Sequence, residues 1–257
     1  MNRLAVPLAP SAAHSTSASN DASELAKLGI SASSAAFAAS RRTGGAALFA
    51  PIHYEPGYAY PLIVWLHDNG GCARELRRIM PLIRVRHYVG AAAQIGVHPQ
   101  VAGSRECWPQ NPDGIESAAD SVARCIESAQ RRFHVHHQRV FLVGHGAGGT
   151  MALRLALQMP LPVAGVVSLN GAFPRGHCPL ARLNVARQLP VLMMTCEESH
   201  RYPAKQVVDD LRLLHAAGFS LAVRHYLCGD DLYTDMFQDL DRWLMAQVCQ
   251  QPQSVQV

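Results

Sequence analysis

The sequence predicts an α/β protein, with a mainly parallel, twisted sheet covered by helices on both faces. Three observations carry this expectation. Continuous apolar runs recur along the chain, the strongest being Leu62–Leu66 and Val140–Val143, and such runs suit strands buried on both faces. They alternate with segments of helical pattern, the order expected of strand–helix–strand crossovers. The 257 residues are enough for one large domain with a fully buried sheet.

Taken from the start, the first forty residues hold twelve Ala and nine Ser. So little apolar area cannot offset the entropy of ordering the chain, and residues 1–44 are expected to form a disordered tail with at most a short helix over Ala22–Ile30. A basic start followed by a compact apolar core is missing, so no secretory leader is expected. Strands are predicted at Leu62–Leu66, Tyr88–Ala93, Val140–Val143, Val163–Leu169, Val191–Met194 and Leu221–Tyr226. Helices are predicted at Ile115–Arg132, Ala147–Gln158, Ala204–Ala217 and Tyr233–Val248. A single domain over 45–250 and a C-terminal tail over 251–257 complete the division. In such sheets ligands sit at the carboxyl ends of the strands, so the residues that follow each strand matter most.

Composition narrows the function classes. Apolar residues make up 49% of the chain and the mean hydropathy is +0.01, with no apolar run long enough to span a bilayer. The net charge of +4 is small, and the basic residues are scattered rather than striped, so no nucleic-acid partner is expected. The seven cysteines are odd in number and widely spread, with no C-x-x-C pair and no zinc spacing. Reduced thiols in a cytoplasmic protein are expected, with no metal and no cofactor.

The run Val140–Val143 leads into Gly144-His145-Gly146-Ala147-Gly148, and a helical pattern begins at Ala147. Strand, sharp turn and helix match the G-x-S-x-G nucleophile elbow, read here as G-H-G-A-G. The glycines alone also fit a plain strand–helix turn or a phosphate-cradling loop.

Other landmarks join the elbow. They are Pro61–Gly71 with His67-Asp68-Asn69-Gly70-Gly71, then Cys107-Trp108-Pro109, and Tyr226-Leu227-Cys228-Gly229. On these, the chain from about Ala46 to Val248 resembles the phospholipase/carboxylesterase branch of the α/β-hydrolases, which includes the acyl-protein thioesterases. The resemblance implies the α/β-hydrolase fold. It also implies a reaction that needs a serine nucleophile, a histidine base, an orienting carboxylate and two backbone N–H groups for the oxyanion. Fold does not dictate activity, so each position is read separately.

By that resemblance Gly146 stands at the nucleophile position, Ser199 at the acid position with Glu198 one residue early, and Asp230 at the base position. No histidine follows His225, which lies inside a strand run. An aspartate of ordinary pKa is too weak a base to take over. The backbone N–H groups of Asn69 and Ala147 are the expected oxyanion donors. Asp68 replaces a family glycine beside them, and a carboxylate there opposes an oxyanion.

The same rim holds residues that could carry a replacement chemistry. Cys228, Cys196 and Cys72 lie near strand ends, and Cys228 with His225 or His200 would make a thiolate pair. A small buried hydrophobe is the plainer reading of each. His67, His145, His200, Asp230 and Asp231 also gather near strand ends but match no metal spacing. The run Arg131–His137 reads as the exposed end of a helix, where cations suit the carboxyl-terminal dipole, leading into the elbow strand. Trp108 and Trp243 read as packing residues. The function expected is a non-catalytic homologue with a pocket rimmed by His67, Asp68, His145, Glu198, His200, Cys228 and Asp231, open to a small acyl or ester-like ligand. The alternative is a carboxylesterase or thioesterase with a relocated site. A protein acting through its surface, as a homodimer, is the third reading.

Overall fold

The computed structural model describes residues 47–93, 108–158 and 163–250. The expected tails, the Ala22–Ile30 helix and Cys107 lie outside the described residues. The strands are β1 (Ala47–Phe49), β2 (Tyr60–Leu66), β3 (Val89–Ala92), β4 (Val135–His145), β5 (Gly165–Leu169), β6 (Val191–Cys196) and β7 (Leu221–Tyr226). The helices are α1 (Leu76–Ile83), α2 (Pro112–Arg132), α3 (Ala147–Gln158), α4 (Leu183–Ala186), α5 (Ala204–Ala216) and α6 (Thr234–Gln250).

One seven-stranded sheet runs in the order β1-β3-β2-β4-β5-β6-β7, parallel except for the short edge strand β1. Strand residues alternate between two cores because successive side chains face opposite sides. Leu62, Val64 and Leu66 pack with Val122, Met151, Leu155 and Leu214. Ile63 and Trp65 pack with Leu76, Met80, Leu240 and Leu244 on the other face. Thus α2, α3 and α5 cover one side, and α1 and α6 the other.

The chain steps from β2 to β3 and then crosses β2 to reach β4, after which it advances the opposite way. The strand order therefore reverses between β2 and β4. A crevice opens at the carboxyl ends of strands that flank such a reversal. The residues that follow β2 and close β4 are His67-Asp68 and His145-Gly146.

The predicted strands and the four predicted helices are present, and among the described residues β1, α1, α4 and a short 3-10 turn over Ala73–Glu75 were not anticipated. The run Arg131–His137 is, as read, a helix end leading into the elbow strand. Helix α2 stops at Arg132, with the Phe133 N–H donating to the Ala129 carbonyl at 2.8 Å. His136 and His137 already belong to β4. The strand starts early because the Tyr60 N–H reaches the His134 carbonyl at 2.8 Å and Val135 is buried.

Candidate functional site

The turn between β4 and α3 is held by its own backbone. The Gly146 N–H donates to the Leu169 carbonyl at 2.9 Å, and the Thr150 N–H donates to the Gly146 carbonyl at 3.1 Å. Gly146 adopts φ +51°, a left-handed conformation that costs other residues strain. Gly148 lets α3 approach the end of β2, since a Cβ there would lie 2.6 Å from the Leu66 carbonyl carbon.

A carboxylate fills the space above Gly146. A Cβ built on this residue would lie 2.5 Å from Asp68 Cγ and 2.8 Å from Oδ2, and closer still to Oδ1. Asp68 Oδ1 also accepts from the Ala147 N–H at 2.9 Å. One side chain thus takes both the volume of a nucleophile and one of the two expected oxyanion donors. Asn69 is exposed in the same turn, which the Gly71 N–H closes onto the Asp68 carbonyl at 2.9 Å.

The acid and base positions also meet. The Ser199 hydroxyl donates to Asp230 Oδ1 at 2.5 Å, and Asn170 Nδ2 donates to the same oxygen at 2.9 Å. Ser199 Oγ accepts in turn from Asn170 Nδ2 at 3.0 Å and from the Tyr202 N–H at 2.9 Å. Where a triad has a carboxylate receiving an imidazole N–H, this chain has a carboxylate receiving a hydroxyl. Burial acts to raise the Asp230 pKa, but the Ser199 hydroxyl, the Arg201 charge and Asn170 outweigh it and hold the carboxyl below its usual range.

Arg201 closes the arrangement. Its guanidinium pairs with Asp68 Oδ2, and its Nε lies 3.9 Å from Asp230 Oδ2. His145 sits beneath, with Nε2 donating to the Asp230 backbone carbonyl at 3.2 Å. Burial holds that imidazole below its ordinary pKa and so in the neutral form.

The structure therefore brings together Gly146, Ala147, Asp68, Ser199, Asp230 and His145. Other expected pocket residues fall elsewhere. Glu198, His200 and Asp231 are exposed, in the turns after β6 and β7, where the Glu198 N–H donates to the Cys228 carbonyl at 3.0 Å. His67 is buried against Trp108, whose Nε1 donates to the His67 carbonyl at 2.7 Å. Cys228 pairs with Cys196, the two sulfurs 2.8 Å apart, rather than with a histidine; burial pushes both thiols up. His225 instead meets Thr195 Oγ1 at 2.9 Å. Among the described residues no group of three or more His, Cys, Asp and Glu side chains is placed to share a metal ion. None of their helices is long and apolar enough to cross a membrane.

Sequence reasoning missed Arg201 and Asn170. Asn170 directly follows β5 with φ +51°, and an asparagine just past a strand at the carboxyl rim is a signal that was there to read. Arg201 has no motif to mark it.

Comparison with known proteins places this geometry. Residues 101–241 match the family model described as Phospholipase/Carboxylesterase. The chain is 29% identical over 152 residues to "Putative esterase NocK" of Nocardia uniformis subsp. tsuyamanensis, which covers 55% of this chain and 42% of that one. It is 25% identical over 150 residues to the magnesium-chelatase 30 kDa subunit of Rhodobacter capsulatus, covering 57% of this chain and 48% of that one. The chain thus spans less than half the length of either relative. The solved structure of Zea mays acyl-protein thioesterase 2 superposes with a TM-score of 0.64 and 17% identity, covering 80% of this chain and 100% of that one. The architecture is the α/β-hydrolase fold.

Proposed function

The chain belongs to the phospholipase/carboxylesterase family, and we propose that it is a non-catalytic, ligand-binding member of it. One observation carries this reading: Gly146 offers no side chain, and the Asp68 carboxylate stands in the nucleophile's place on the Ala147 N–H. Acyl transfer needs an attacking atom, a base near it and free donors for the oxyanion. Here the attacking atom is missing, the imidazole of His145 is half-buried and turned to a backbone carbonyl, and a donor is engaged by a negative charge. What the rim retains is a preorganised set of charged and polar groups, which suits binding.

The experiment is turnover of p-nitrophenyl acetate and a short thioester, with fluorophosphonate labelling alongside. No turnover above background and no labelled residue are expected. Specific turnover by the unaltered chain overturns the reading. The combined variant Gly146→Ser, Ser199→Asp, Asp230→His should still be almost silent, because Asp68 crowds the new serine. Adding Asp68→Gly should raise its esterase rate at least about tenfold, the size of a single transition-state contact.

The competing reading, a hydrolase with a relocated nucleophile, draws on family membership and on the Cys196–Cys228 pair near the rim. The raised thiol pKa values weigh against it, since the thiolate is the nucleophile. Thiol-selective alkylation that abolishes a measured esterase activity is the result that would favour it.

A further inference from the structure

The next step rests on the non-catalytic reading and names the ligand's chemistry. Two carboxylates share Arg201 at the carboxyl rim of the sheet, and each is oriented by neutral donors. Asp68 is set by the Ala147 N–H, and Asp230 by the Ser199 hydroxyl and the Asn170 amide. The cation that balances them is the least anchored part. The Arg201 side chain is 59% exposed, against 13% for Asp68 and 21% for Asp230. An exposed guanidinium on a flexible stem gains little from such a pairing and leaves it cheaply.

A second observation points the same way. Asn170 is more than nine-tenths buried, and its Nδ2 is directed into the cluster at Ser199 and Asp230. The oxygen of that same amide is buried without a hydrogen-bond partner. Buried acceptors are normally satisfied, so this orphan, on the amide whose nitrogen serves Asp230, leaves an acceptor at the rim short of an N–H donor.

We propose that the rim binds a small organic cation, an alkylammonium or alkylguanidinium, which displaces Arg201 and seats its N–H groups between Asp68 and Asp230. Arg201 is then an internal occupant of its own protein's cation site. A carboxylate ligand would have to evict Asp68, the shorter and more buried group, and would face Asp230 at close range. The ionised state of Asp230 favours the cation further.

Isothermal titration of the full chain at low salt tests this, with n-butylguanidinium, n-butylammonium and butyrate as probes. Saturable one-site binding of butylguanidinium is expected, with butyrate silent. Arg201→Ala removes the internal competitor and should bind butylguanidinium at least about tenfold tighter; Asp230→Asn should bind it at least about tenfold weaker. The proposal is overturned if butylguanidinium fails to saturate both the unaltered chain and Arg201→Ala, if Asp230→Asn in a folded state binds unchanged, or if butyrate binds better. The comparison between the unaltered chain and Arg201→Ala stands even if Asp230→Asn does not fold. Ester turnover would defeat the non-catalytic reading separately and leave this titration to be judged by itself.

Discussion

Asp68 and Asp210 are built alike and do different things. Each carboxylate accepts from a backbone N–H, Ala147 at 2.9 Å for Asp68 and Phe173 at 2.8 Å for Asp210. Each pairs with an arginine whose side chain is mostly exposed, Arg201 and Arg175. They part on burial. Asp210, on α5, has a fully buried side chain and accepts a third hydrogen bond from the Tyr202 hydroxyl at 2.9 Å. It fastens the chain leaving β5 to the helical layer, helped by the buried Arg154, which donates to the carbonyls of Gly176 at 3.0 Å and Arg175 at 2.6 Å. Asp68 reaches solvent and roofs the elbow at Gly146. Tyr202 links Asp210 to the rim, since its hydroxyl serves Asp210 and its N–H serves Ser199. The difference teaches that one pattern of contacts yields a structural tie when it is buried and an exchangeable one when it opens to water.

The largest expected effect tests that contrast directly. Asp210→Ala strands the Phe173 N–H and the Tyr202 hydroxyl, and each unsatisfied buried donor costs about 1–3 kcal/mol. A loss of about 3 kcal/mol, or a fall of about 10 °C in Tm, is expected for a domain of this size. Asp68→Ala leaves Arg201 to water and should cost under about 1 kcal/mol. Urea denaturation of the two variants measures both, and equal losses would break the comparison.

A smaller effect sharpens it. Gly146→Ala places a methyl against the Asp68 carboxylate in a left-handed backbone, and strain of this kind costs about 1–3 kcal/mol. Repeating the substitution in an Asp68→Gly background relieves the crowding but not the backbone. A coupling of about 1 kcal/mol between the two positions is therefore expected. Strict additivity would mean that Asp68 does not fill the nucleophile's space.

How much of this was legible in the sequence follows from the same physics. β7 and α3 fall on their predicted bounds, because an apolar run or a helical pattern there meets clear punctuation. β1 is three residues on the sheet edge and presents no periodic signal; α1 does, with Leu76, Ile79, Met80 and Ile83 on one face, but it is only eight residues long and carries an internal proline, Pro81. The Gly146, Ser199 and Asp230 positions were readable through the family resemblance, which matches a short motif after each of three strands. The contacts among them were not. Arg201 lies 133 residues from Asp68, and nothing local to either residue announces the pair. The exposure of Glu198 and His200 was hidden for the same reason, since a turn after a strand can aim neighbouring side chains in opposite directions.

The smallest effect concerns pH. The folded Asp230 carboxyl has its pKa lowered, with burial opposing and the Ser199 hydroxyl, Arg201 and Asn170 prevailing. A group whose folded pKa lies below its unfolded value contributes stability that is fully present above the unfolded value and is lost as pH falls through the folded one. For Asp230 that loss begins below about pH 4, the ordinary aspartate range. The stability difference between the unaltered chain and Asp230→Asn should thus be constant from neutral pH down to about 4 and then shrink. Solvent reaches this side chain, so the amplitude should be modest beside the Asp210 effect. Urea midpoints at several pH values between 7 and 3 measure it. A difference that shrinks already between pH 7 and 5 would mean that Asp230 titrates above its ordinary range, and that neither Ser199 nor Arg201 favours its charged form.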